Sequence, residues 1–67
     1  MKITVSVDYY QEEDGYDGAS TFTRDGVESL TDLAQFLANV VNGLGYNYVD
    51  DVCFLTDGGT EHWGFKL

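Results

Sequence analysis

The chain has 67 residues, of which 43% are hydrophobic and 15% aromatic. This composition is typical of a folded protein, and the length predicts one domain covering residues 1–67. One cysteine and one histidine exclude an internal disulfide and cannot complete a Cys/His zinc site by themselves. We therefore expect neither a metal ion nor a cofactor.

Charge is the strongest compositional signal, with twelve acidic and three basic residues giving a net charge of −9. Direct binding to nucleic acid is excluded, because that binding relies on cationic side chains that neutralise phosphates. An anionic membrane surface is excluded for the same reason. The favoured partner is a basic protein surface, because the long-range field of the acids accelerates such an encounter.

The amino terminus, MKITVSVDYY, has one lysine but no continuous apolar run. It therefore predicts no signal peptide. Cys53 lies within an apolar run between Val52 and Phe54, as is typical of a small buried side chain with a free thiol. A free thiol and no leader favour the reducing cytoplasm.

Two β-strands are predicted in the first third of the chain. Residues 2–10 alternate between apolar and polar side chains, and residues 19–24 are rich in β-branched and aromatic types, with Phe22 inward. Residues 11–18, QEEDGYDG, separate them with two turn signals. The pattern predicts a hairpin with a long acidic loop.

Residues 30–44 have helical periodicity, and Ser29 is the predicted N-cap. Gly43 or Gly45 is the expected stop. The predicted apolar stripe consists of Leu30, Leu33, Ala34, Leu37, Val41 and Leu44. The opposite face is polar but uncharged and consists of Thr31, Gln35, Asn39 and Asn42.

A second hairpin is predicted from residues 46–56 and 61–67, joined by the turn sequence TDGGT. We expect a bulge or bend near Asp50 and Asp51, and an inward face at Trp63, Phe65 and Leu67.

The elements predict an α+β fold of order β-β-α-β-β, in which a mostly antiparallel four-stranded sheet carries one helix on one face. The aromatic side chains expected in the core are Tyr9, Phe22, Phe36, Phe54, Trp63 and Phe65. Those expected to be partly exposed are Tyr10, Tyr16, Tyr46 and Tyr48.

Two groups of acids are candidates for binding. The first consists of Asp8, Glu12, Glu13, Asp14 and Asp17, and the second of Asp50, Asp51, Asp57 and Glu61. Both could face arginine and lysine side chains and imitate nucleic-acid phosphates. The alternatives are a solvated loop for the first group and scattered surface charges for the second. The spacing does not match a calcium-binding EF-hand loop.

Catalysis is not expected from this sequence. Asp50 and Asp51 are neighbours, so a regular strand would point them to opposite faces. His62 has no nucleophile that the sequence identifies as its partner. We therefore predict a protein that is not an enzyme.

Small, acidic, one-domain chains without an enzymatic motif resemble phage-encoded inhibitors of host nucleic-acid machinery, such as anti-restriction, anti-CRISPR and RNA-polymerase-inhibiting proteins. The resemblance implies an inhibitor in the host cytoplasm whose acidic surface occupies a cationic groove, as a monomer or homodimer. The predicted partner contacts are Asp8, Glu12, Glu13, Asp14, Tyr16, Asp17, Tyr48, Asp50 and Asp51. A second interpretation stays open: a structural or assembly module whose acidity serves solubility.

Overall fold

The computed structural model describes residues 1–11 and 16–66. It contains one helix between two antiparallel hairpins, which confirms the α+β class and the predicted order of elements. The elements are β1 (Ile3–Gln11), β2 (Tyr16–Arg24), α1 (Leu30–Gly43), β3 (Cys53–Leu55) and β4 (Glu61–Trp63).

The prediction of a single four-stranded sheet is wrong. Over the described ranges, β1 pairs with β2 and β3 pairs with β4, giving two separate two-stranded sheets. With three residues each, β3 and β4 span only about 10 Å. Beside these strands, the Gly64 amide donates to the Val52 carbonyl at 3.2 Å, and the amides of Val52 and Gly64 both donate to the Asp51 carboxylate.

The first hairpin is longer than predicted. Its register runs from Ile3 opposite Arg24 to Gln11 opposite Tyr16, so pairing includes residues 11 and 16–18 of the segment predicted as loop. Backbone hydrogen bonding across nine pairs outweighs the weak strand preference of Asp17 and Gly18. The predicted alternation is confirmed: apolar side chains of β1 are half-buried on one face, and Thr4 contacts Thr23 on the exposed face.

The base of this hairpin is fixed to the segment that leads into α1. The Met1 ammonium donates to the Val27 carbonyl at 3.0 Å, and the Val27 amide donates to the Met1 carbonyl at 3.1 Å. Val27 is completely buried. The chain terminus is thereby joined to the start of the helix.

The predicted N-cap is confirmed. The Asp32 amide donates to Ser29 Oγ at 3.1 Å, and Asp32 Oδ2 accepts from the Glu28 amide at 3.1 Å. This reciprocal pair satisfies donors at the start of α1. At the other end, Gly45 has φ 104°, a left-handed conformation that favours glycine.

The buried side chains of α1 lie along the two edges of its apolar face. At 3.6 residues per turn, Phe36 and Val40 lie on one edge, and Ala34 and Ala38 lie nearly opposite. These four side chains are buried, together with Val27. The leucines between the two edges are half-buried or exposed. The helix is therefore packed from two sides, and the core is small.

Two glycines allow these two contacts. A Cβ on Gly43 would lie 2.6 Å from the Phe22 ring, so β2 packs closely against the end of α1. A Cβ on Gly64 would lie 2.9 Å from the backbone nitrogen of Gln35. The Gln35 side chain also donates to the Gly64 carbonyl at 2.7 Å. The C-terminal segment therefore lies directly on the helix backbone.

The predicted inward position of Phe65 in the last strand is wrong, whereas Trp63 is half-buried and Leu67 lies outside the described residues. Phe65 is 56% exposed, whereas Gly64 is buried against α1. The closest approach to the helix needs a residue without a side chain, so the glycine faces inward and the aromatic residues beside it do not. The predicted strand at 46–56 is also shortened to Cys53–Leu55, because a turn with a Val49 to Tyr46 hydrogen bond precedes it.

The contact between Gly64 and α1 can be tested by adding one methyl group. We expect Gly64→Ala to lower the free energy of unfolding by about 1–3 kcal/mol, because rigid backbone atoms leave no space for it. Gly58→Ala is the matched control, because its nearest heavy atom lies 4.0 Å from the added carbon. Urea unfolding followed by circular dichroism measures both variants. Equal losses would contradict the close approach.

Candidate partner-binding surface

Of the predicted contacts of the first acidic group and the adjoining Tyr16, the structure describes Asp8 and the backbone of Tyr16 and Asp17. Asp8 is exposed on the outer face of β1. Tyr16 and Asp17 belong to β2, opposite Gln11 and Tyr10. Their side chains, together with Glu12, Glu13 and Asp14, lie outside the described residues, so these contacts stay predictions.

Asp51, which we predicted as a partner contact, also has a structural position. Its Oδ1 accepts from the amides of Val52 at 2.8 Å and Gly64 at 3.0 Å. Its Oδ2 accepts from the amides of Phe65 at 3.0 Å and Lys66 at 2.8 Å. The carboxylate thus joins the loop after α1 to the segment after β4. Its predicted partner contact stays a prediction.

Its surroundings favour the charged form of Asp51. Partial burial acts to raise the pKa of this carboxyl, but the amides of Lys66, Phe65, Val52 and Gly64 outweigh it and lower the pKa below 3.8. Asp32 also has a pKa below 3.8, mainly because it accepts from the Glu28 amide.

In the segment after α1, the predicted contacts Tyr48 and Asp50 are both described and exposed, and Tyr46 lies close to Tyr48. Tyr46 is 51% exposed and Tyr48 is 76% exposed, which confirms the expected exposure. Their ring centroids lie 6.2 Å apart in an edge-to-face arrangement. Asp50 is exposed two residues further along. We call residues 46–50 the tyrosine loop.

The tyrosine loop is anchored to the end of α1. The Tyr46 amide donates to the Val41 carbonyl at 3.2 Å, and Asn42 Nδ2 donates to the Val49 carbonyl at 3.2 Å. Asp51, the residue that follows the loop, is held in place by its hydrogen bonds from backbone amides. Anchoring on both sides holds two large rings in solvent, which lowers the entropy lost when a partner covers them.

Few of the acids are neutralised within the fold. In the part of the chain that the structure describes, one ion pair forms, between the Met1 ammonium and Glu28 at 2.9 Å. Of the bases, Lys66 lies with its Nζ 4.9 Å from the centroid of the Trp63 ring. The exposed acids Asp8, Asp25, Asp50 and Asp57 belong to different loops and strands. The negative field therefore extends beyond any one cluster.

Cys53 and His62 do not form a catalytic pair. Cys53 lies opposite Trp63 and Phe54 lies opposite His62, so strand alternation places the thiol and the imidazole on opposite faces of β3–β4. The described residues contain no group of three or more His, Cys, Asp or Glu side chains that could hold a metal ion. Within the same ranges, no helix has the length and apolar character needed to cross a membrane.

Sequence reasoning missed the polar side chains that organise this region. Gln35 and Asn42 were expected on an open face of α1, but both donate to backbone carbonyls of the segments that follow. The bend expected at Asp50–Asp51 was the available signal. It located the break in the strand, but it did not distinguish the internal acid from the exposed one.

Comparison of the chain with protein families, with curated proteins and with solved structures found no match. The functional argument therefore depends on the geometry and charge described above.

The structural assignment of Asp51 predicts a specific pH dependence. Because its folded pKa is lowered, its stabilisation is complete above the unfolded value of 3.8 and is lost as the pH falls through the folded value. We expect Asp51→Asn to lower the urea midpoint at neutral pH and to reduce the further loss between about pH 5 and about pH 2. Asp57→Asn, at an exposed turn position, is the control. Parallel pH profiles for wild type and Asp51→Asn would contradict the assignment.

Proposed function

We propose that this protein is a non-enzymatic binding protein that presents an acidic surface to a basic, nucleic-acid-binding partner. The observation that carries the proposal is the lack of internal neutralisation. The chain has twelve acids and three bases, and its one described ion pair uses the terminal ammonium. Most of the negative charge therefore stays available to a partner.

The tyrosine loop gives this charged surface a place for specific contact. Tyrosine is enriched at protein interfaces, because its ring buries a large area while its hydroxyl keeps a hydrogen bond. Tyr48 is the most exposed of the large apolar side chains in the described residues, at 76%, and Asp50 lies close to it in sequence. In this proposal, the carboxylates set the rate of encounter and the tyrosines supply the affinity.

A partner that normally binds DNA or RNA fits the charge of this surface best. Such a protein has a groove lined by lysine and arginine, and carboxylates compete there with phosphates. Occupying the groove would inhibit the partner, as the resemblance to phage-encoded inhibitors implies. The proposed contact also includes Asp8, which is exposed on β1, and the sequence-predicted contacts Glu12, Glu13, Asp14, Tyr16 and Asp17.

The test is capture of host proteins by the immobilised chain, followed by competition of each captured protein with duplex DNA and with RNA. We expect the immobilised chain to capture a nucleic-acid-binding protein. About 1 M salt should elute this protein, because the Debye length is then about 3 Å and the charges are screened. Nucleic acid should displace it. The double variant Tyr48→Ala, Asp50→Lys should weaken its binding at least about tenfold.

The single variant Asp25→Lys, in which Tyr46 and Tyr48 are unchanged, is the control for net charge. Asp25 is exposed in the connection between β2 and α1, so its reversal changes the charge equally without altering the tyrosine loop. We expect it to weaken binding only about twofold to threefold, as for a rim charge. A captured protein that ignores salt, nucleic acid and the double variant would refute the proposal.

A further inference from the structure

The tyrosine loop carries two aromatic rings with faces that are open to a cation. The rings of Tyr46 and Tyr48 meet at an interplanar angle of 82°, with 6.2 Å between their centroids. In such an edge-to-face pair, the ring that presents its edge keeps both of its faces clear of the other ring, and its neighbour keeps one. Because the two side chains are 51% and 76% exposed, much of this aromatic surface is accessible to solvent.

The chain's own cations do not occupy these rings. All three bases of the chain belong to the residues that the structure describes, and among those residues one cation–π contact forms. In it, Lys66 Nζ lies 4.9 Å from the centroid of the Trp63 ring. One face of Trp63 is therefore covered from within the chain, whereas Tyr46 and Tyr48 are available to a cation that a partner supplies.

A carboxylate without an internal partner lies two residues from the more exposed ring. Val49 is half-buried, whereas Tyr48 and Asp50 on either side of it are exposed. The Cα atoms of Tyr48 and Asp50 are at most about 7 Å apart, because two residues of extended chain reach no further. Within the described ranges, the Asp50 side chain forms no ion pair or hydrogen bond. The Asp51 carboxylate, in contrast, is engaged by backbone amides.

An aromatic face near a free carboxylate matches a guanidinium group better than an ammonium group. A guanidinium is planar and weakly hydrated, so it stacks on a ring while its N–H groups donate to a carboxylate through two parallel hydrogen bonds. The lysine ammonium is a compact and strongly hydrated point charge, so it gains less from the ring. Arginine also binds phosphate through the same paired N–H groups, so it is expected in a groove that normally holds nucleic acid.

We propose that the tyrosine loop selects arginine over lysine, with a guanidinium of the partner stacked on Tyr48 and hydrogen-bonded to Asp50. This inference rests on the proposed function, because it names the side chain that the basic partner supplies at this site. The anchored backbone favours such selection. Hydrogen bonds from the Tyr46 amide and from Asn42 hold the loop in place before the arginine arrives, which lowers the entropy lost on binding.

Two peptides of equal length and charge, one of arginine and one of lysine residues, test the selection by isothermal titration calorimetry with the whole chain. We expect the arginine peptide to bind about twofold to fivefold more tightly, the gain typical of a cation–π contact at an exposed site. Equal affinities would overturn this inference and leave the proposed function intact. Binding of neither peptide would contradict both.

Tyr48→Leu and Tyr48→Phe are a matched pair of variants that test the ring. Both remove the hydroxyl and keep an apolar side chain, but only phenylalanine keeps the aromatic face. We expect Tyr48→Leu to abolish the preference for arginine and Tyr48→Phe to retain it. The site is 76% exposed, so both variants should fold, which circular dichroism checks. A preference that survives Tyr48→Leu, or is lost in Tyr48→Phe, would overturn the inference.

Asp50→Asn tests the carboxylate, and Asp57→Asn, at an exposed turn position, is the control for the loss of one charge. We expect Asp50→Asn to weaken binding of the arginine peptide more than binding of the lysine peptide, because the paired hydrogen bonds need both carboxylate oxygens. Asp57→Asn should weaken both equally. The same ratio of affinities in the two variants would contradict a direct contact between Asp50 and the guanidinium.

Discussion

The carboxylate of Asp51 is the interaction on which the second half of the structure depends. It accepts hydrogen bonds from the amides of Val52, Gly64, Phe65 and Lys66, and it thereby joins two segments that are far apart in sequence. One segment follows the tyrosine loop, and the other follows β4. This one half-buried carboxylate therefore helps to position the tyrosine loop relative to the C-terminal segment. The same hydrogen bonds lower the pKa of the Asp51 carboxyl.

The small core limits what the fold can achieve alone. Buried apolar side chains in the described residues lie at the two edges of the apolar face of α1 and at Val27, so each hairpin contacts the helix over a narrow area. An isolated two-stranded hairpin is marginally stable, and nine residue pairs in β1–β2 do not remove that constraint. Such a fold gains from external contacts. The exposed carboxylates and the tyrosine loop offer such contacts.

Sequence patterns predicted the elements that local chemistry determines. Ser29 and Asp32 define the start of α1, and the alternation along β1 gives the correct faces. Sequence patterns failed where a contact between residues far apart in the sequence determines which side chain faces inward or forms a hydrogen bond. The inward position of Gly64 follows from its approach to the Gln35 backbone, and the apolar residues beside it predicted the reverse face. For the candidate site, Tyr48 was correctly expected to be exposed. The internal role of Asp51 depends on amides 13 to 15 residues away, which no local pattern contains.

In the proposed function, the tyrosine loop and the exposed carboxylates bind a basic partner. Its most direct test is a titration of the labelled chain with an arginine-rich peptide, followed by amide chemical shifts in NMR spectra. The account predicts that shifts concentrate at residues 46–50 and along the acidic end of the first hairpin, and that about 1 M salt removes them. Shifts of equal size at every exposed carboxylate, including Asp25 and Asp57, would contradict it.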